Sequence, residues 1–217
     1  MDIDLIHFGD HCEPGIIIDS ILNIHKKYLF MLGVYNFNNI LNFLNDNNYE
    51  KIYEMKNLVI QNKNIVYHNF YKFIFNHDYI TDDSQITNYE FIKQRFDTKI
   101  KNFREMLKNE KTAVFITFTY NVDLLNINDM LMWLNNNKKN YHLIIFTNNP
   151  YSSNYNSNRL CIIKLENSYD YWWLMEKKVK KVLFKEIYHK FIKCLSNSNI
   201  IHNFPKKFKK THYGKNK

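Results

Sequence analysis

Residues 112–119 read Thr-Ala-Val-Phe-Ile-Thr-Phe-Thr, and this nearly unbroken apolar run decides the fold. A strand with one wet face alternates apolar and polar side chains, whereas a run without alternation is covered on both faces, as in a parallel sheet. Residues 141–147 (Tyr-His-Leu-Ile-Ile-Phe-Thr) and 159–165 (Arg-Leu-Cys-Ile-Ile-Lys-Leu) repeat the pattern, and residues 128–135 between the first two have helical character. Strand, helix and strand at this spacing predict crossover units and a parallel sheet.

Working outward, residues 88–109 carry Phe91, Ile92, Phe96, Ile100, Phe103 and Leu107 at helical spacing, with Lys, Arg and Glu between them. Residues 38–44 and 49–55 also read as helical, with Ile40, Leu41, Phe43 and Leu44 facing inward. Short strands are expected at 58–60, 65–67 and 71–75, a polar loop at 81–87, and a returning helix at 172–195. The fold class is therefore α/β: three layers, a mostly parallel sheet flanked by helices, with a C-terminal helical extension. A single domain is expected over residues 1–202, followed by a basic, mobile tail over 203–217.

Composition sets the bounds. At 217 residues with 17% aromatics, the chain can bury a core without help from disulfides or metals. Asn, Lys, Ile, Tyr and Phe are all heavily used and have A/T-rich codons, which points to an AT-rich organism or a large DNA virus. Three cysteines without close spacing argue against a disulfide framework and against structural zinc, and favour a reducing compartment. Cys161 and Cys194 lie in apolar stretches and read as packing residues. The acidic start Met-Asp-Ile-Asp and the lack of a long apolar run give no signal peptide or membrane span, so a cytoplasmic location and no membrane partner are expected.

The charge of +9 is uneven: residues 176–217 hold thirteen Lys against Glu176 and Glu186, leaving the remainder slightly acidic. Affinity for an acidic partner or nucleic acid would therefore reside in the Lys-rich C-terminus.

The candidate site follows the first strand. Residues 3–8 form a short apolar run that stops at Gly9-Asp10, and Pro14 suits the first turn of a following helix with Ile16, Ile17, Ile21 and Ile24 on its apolar face. Gly9 and Gly15 bracket Cys12 in a chain with four glycines, in the turn where an α/β sheet lets backbone approach a ligand closely. A cysteine at the mouth of a helix gains thiolate character from the helix dipole, although a free cysteine is also a common buried hydrophobe. Asp10 and His11 crowd polar chemistry beside it, and His7 reads as either a participant or a satisfied core histidine. His77-Asp78 is the second candidate, a strand-end imidazole able to act as general base, or else a loop histidine beside a turn-capping aspartate.

These blocks resemble, in order, the family described as papain-like cysteine peptidases of bacteria and large DNA viruses, whose function is largely uncharacterised. Gly9-Asp10-His11-Cys12 is similar to its opening Gly-x-x-Cys, and Asn76-His77-Asp78-Tyr79 to its His-Asp-aromatic signature. Leu29-Phe30 with residues 40–49, and residues 95–118, resemble further blocks, so the likeness spans roughly residues 3–147. The chain departs where His7-Phe8-Gly9 replaces Ser-Leu-Gly and where residues 29–32 replace Pro-Phe-Asp-Trp. The resemblance implies Cys12 as nucleophile, His77 as base and Asp78 as an orienting group, with Gly9, Asp10 and His11 contacting substrate and no cofactor required.

The leading expectation is a cysteine-dependent hydrolase acting on a peptide or small acyl substrate. The alternative is a non-catalytic viral or intracellular binding module with a degenerate site and a basic interaction surface. A third option is a metal-assisted hydrolase using His7, Asp10, His11 and His77 as ligands.

Overall fold

The computed structural model describes residues 3–9, 29, 33–34, 37–75, 78–82, 84–119, 124–149, 155–165 and 177–197. The helix expected after Pro14, the paired Trp172 and Trp173, and the tail 203–217 lie outside the described residues.

The decisive stretch is a strand, Thr112–Phe118 (β8), at the heart of a five-stranded sheet. With β1 (Ile3–Gly9), β9 (Tyr141–Thr147), β10 (Tyr155–Asn156) and β11 (Leu160–Lys164) it gives the order β1-β8-β9-β11-β10. The first four strands of that order run parallel, and β10 is an antiparallel edge. β8 is apolar on both faces because both are covered. Ala113 and Phe115 enter one core, whereas Val114, Ile116 and Phe118 enter the other.

The first core is closed by α1 (Phe37–Asp46), α2 (Tyr89–Lys108) and α3 (Leu124–Asn137). The second is closed by α4 (Lys177–Asn197), whose Ile187, Phe191, Cys194 and Leu195 pack on the opposite face. Three layers result, as the sequence predicts.

A smaller antiparallel sheet abuts the first core. It comprises β2 (Gly33–Val34), β3 (Leu58–Asn62), β4 (Ile65–His68) and β5 (Phe73–Phe75), in the order β2-β5-β4-β3. Val66, Phe73 and Phe75 lock it to the helices.

Three local expectations are corrected. Residues 49–55 form 3-10 turns at Tyr49–Tyr53 and Met55–Asn57, because Glu54 between them has extended backbone (φ −62°, ψ 120°) that interrupts a helix. The polar loop at 81–87 contains a small hairpin, β6 (Thr81–Asp82) with β7 (Gln85–Ile86), whose paired strands are only two residues long.

The cysteine reading is half right. Cys161 on β11 and Cys194 on α4 are both buried, but they form a disulfide with Cα atoms 6.4 Å apart. Their distant positions in sequence hid a pairing that only the packing of α4 on β11 creates. No helix among the described residues is long and apolar enough to cross a membrane.

Candidate functional site

Parallel sheets place ligands at the carboxyl ends of their strands, so the end of β1 at Gly9, paired in register with Phe118 of β8, is the place to look. Cys12, Asp10, His11 and His77 lie outside the described residues. Their neighbours His7, Gly9 and Asp78 are described.

His7 sits within β1, opposite Ile116, and is 2% exposed. Two other buried histidines show what a satisfied one looks like. His68 accepts from the Tyr71 N–H through Nδ1 at 3.0 Å and donates through Nε2 to the Lys51 carbonyl at 2.8 Å. His142 donates from Nδ1 to the Asn158 carbonyl at 3.1 Å, and its Nε2 lies 3.8 Å from Cys194 Sγ. In His7, neither ring nitrogen has a hydrogen-bond partner among the described residues. Burial, and then the positive charge of Lys99, push its pKa down to about 4, so the ring is neutral at pH 7. His7 is thus buried inside the strand, as its core reading expected, but without a hydrogen-bond partner among the described residues.

Asp78 follows β5 and is 3% exposed. Its Oδ1 lies 3.5 Å from an Arg95 guanidinium nitrogen and 3.6 Å from Lys99 Nζ, whereas Oδ2 has no hydrogen-bond partner among the described residues. The turn is fastened by Asn88, which donates to the Asp78 carbonyl at 3.0 Å and accepts from the Ile80 N–H at 2.8 Å. Tyr79 packs its ring 5.3 Å from Phe75, and its buried hydroxyl also has no partner among the described residues. Burial and then the Asp78 carboxylate raise the Tyr79 pKa, so the phenol stays protonated and available as a donor.

Lys99 lies beneath the Asp78 turn. It occupies the buried face of α2 among Phe96, Ile100 and Phe103, with its ammonium 4.6 Å from the Phe96 ring centroid. A lysine at a core position of an amphipathic helix is costly unless paired, and here Asp78 supplies the pairing. Sequence reading passed over Lys99 and Arg95 as solvated charges. The signal that could have found Lys99 is its spacing, since it falls three residues after Phe96 on the apolar stripe.

On the α2 face of the sheet the arrangement provides a buried acceptor at Asp78 Oδ2, a donor at the Tyr79 hydroxyl and fixed positive charge behind them, while His7, in register with Ile116, lies on the α4 face. Such groups can orient a polar reactant or a catalytic side chain. Among the described residues, no group of three or more His, Cys, Asp or Glu could hold a metal ion. Three of the four metal ligands considered from sequence, Asp10, His11 and His77, are outside that set.

Comparison with protein-family models, with curated proteins and with solved structures finds no match to this chain.

Proposed function

We propose that the chain is a cysteine-dependent hydrolase working at the carboxyl end of β1, with Cys12 as nucleophile and His77 as its proton shuttle. The observation that carries this reading is the carboxylate of Asp78, the residue after His77, which is buried and held through Oδ1 by Arg95 and Lys99. The disulfide adds support: with Cys161 and Cys194 bonded to each other, Cys12 is the remaining cysteine of three.

In the proposed reaction the Cys12 thiolate attacks an acyl carbonyl carbon, and backbone N–H groups of the turn stabilise the resulting oxyanion. The His77 imidazolium gives its proton to the leaving amine or alcohol as the carbonyl re-forms, which yields a thioester on Cys12. Water then loses a proton to His77, adds to the thioester and releases the acid, regenerating the thiolate. Asp78 Oδ2, without a hydrogen-bond partner among the described residues, is an acceptor suited to an imidazole N–H, and Arg95 and Lys99 hold its other oxygen.

Mass spectrometry of the protein mixed with a p-nitrophenyl ester tests this. The expected result is one acyl group per chain on Cys12 and none in Cys12→Ala. Acylation elsewhere, or unchanged ester hydrolysis by Cys12→Ala, would refute the assignment.

A further inference from the structure

The open face between α1 and α3 carries a groove of about 460 Å³ that the proposed reaction does not use. Seven of its eleven lining residues are asparagine. Asn38, Asn42 and Asn45 succeed one another along α1, and Asn126, Asn136 and Asn137 contribute from α3. Leu41 and Trp133, each 6% exposed, form an apolar floor, and Met132 stands exposed at the rim.

Codon bias alone does not account for this lining. A/T-rich codons supply Lys as readily as Asn, yet among the described residues no Lys or Arg lines the groove. Asn is also a weak helix former, so gathering it on two helix faces runs against local propensity. A lining that violates local preference is where function is expected.

The chemistry selects the ligand. Without a cation among its described lining residues the groove is unsuited to phosphates or nucleic acid, and Asp129 is the only ionisable one among them. Trp133 is stacked 6.4 Å from Phe103 at 10° and is nearly covered, so it offers no open face on which a sugar ring could stack. A carboxamide both donates and accepts, as does the peptide group. Asn38, Asn42 and Asn45 climb the helix in steps of about 6 Å and about 4.5 Å, which sets a row of carboxamide positions along the groove.

We propose that the groove between α1 and α3 holds an extended segment of polypeptide by its main chain. Both helices start at the catalytic edge: α3 follows β8, and Phe37 at the head of α1 lies 6.1 Å from Phe8 near the end of β1. The groove thus directs a bound chain toward the carboxyl ends of the strands. Its role as a substrate path rests on the cysteine-hydrolase reading, whereas peptide binding itself does not.

The test uses the full-length Cys12→Ala protein, which separates binding from turnover. A fluorescein-labelled pool of ten-residue mixed-sequence peptides is titrated by fluorescence anisotropy, beside the same pool N-methylated at alternate residues and with maltohexaose as competitor. Saturable binding of the first pool is expected, with about tenfold weakening both on N-methylation and in Asn42→Ala/Asn136→Ala. Alanine at these exposed helix positions preserves the fold, which circular dichroism checks. No binding of the unmodified pool, equal binding of the N-methylated pool, unchanged binding by the double variant, or displacement by maltohexaose would each overturn the proposal. Failure of ester acylation at Cys12 with intact peptide binding would remove the substrate-path role alone.

Discussion

His7 enters the fold without its proton, and the consequence for stability has a definite sign. Its folded pKa of about 4 lies below the ordinary 6.5, so between those values the unfolded chain binds the extra proton. Stability from this group is full above pH 6.5 and is lost as pH falls toward 4, by about 3 kcal/mol in all. Urea melts of the wild type at pH 7 and pH 4.5 should differ more than those of His7→Leu, which removes both unpartnered nitrogens. Equal pH dependence in the two proteins would show that His7 titrates normally. The burial of His7 was legible in the run Ile-Asp-Leu-Ile-His-Phe, but its lack of partners was not. Nor were the partners of Asp78, because Arg95 and Lys99 reach it only when α2 packs beneath the turn.

At the scale of elements, two ties hold helix ends in place. Lys138, just beyond α3, is 2% exposed and donates from Nζ to the Met106 carbonyl at 2.6 Å, the Asn109 carbonyl at 2.6 Å and Asn109 Oδ1 at 2.8 Å. It satisfies carbonyls at the C-terminus of α2 with a positive charge, the sign the helix dipole favours there. Burial lowers its pKa and Asp4 partly opposes this. Lys138→Met keeps the stem but strands those acceptors, and a loss of about 2 kcal/mol is expected in chemical denaturation. A loss below a few tenths would mean that water replaces the ammonium.

The second tie is the Cys161–Cys194 disulfide, which closes a span of 33 residues between β11 and α4. Its removal in Cys161→Ser/Cys194→Ser should cost about 3 kcal/mol and raise hydrogen exchange in α4 ahead of β8 and β9. Uniform exchange across the protein would contradict a local tie. Periodicity revealed β8, β9 and α2 because each repeats its pattern over seven residues or more. The two-residue strands β2, β6, β7 and β10 were invisible, since so few residues carry no period.

At the scale of the whole molecule, parallel pairing of β1, β8, β9 and β11 brings their carboxyl ends to one edge of the sheet. That much follows from unbroken apolar strands alternating with helices, which explains why the three-layer architecture could be read from the chain. The antiparallel sheet beside it could not, because its strands read equally well as turns until Val66, Phe73 and Phe75 find the helices. The same edge gathers the heads of α1 and α3, the end of β1 and the turn containing Asp78. The account therefore places chemistry there and stands or falls on the character of Cys12. The direct measurement is the rate of iodoacetamide alkylation of Cys12 against pH, without reductant, in the wild type and in His77→Ala. The account predicts an inflection at least about one unit below the ordinary thiol value of about 8.5, which moves back toward that value when His77 is removed. An inflection at the ordinary value in both proteins, or a Cys12 that does not react until the protein unfolds, would contradict it.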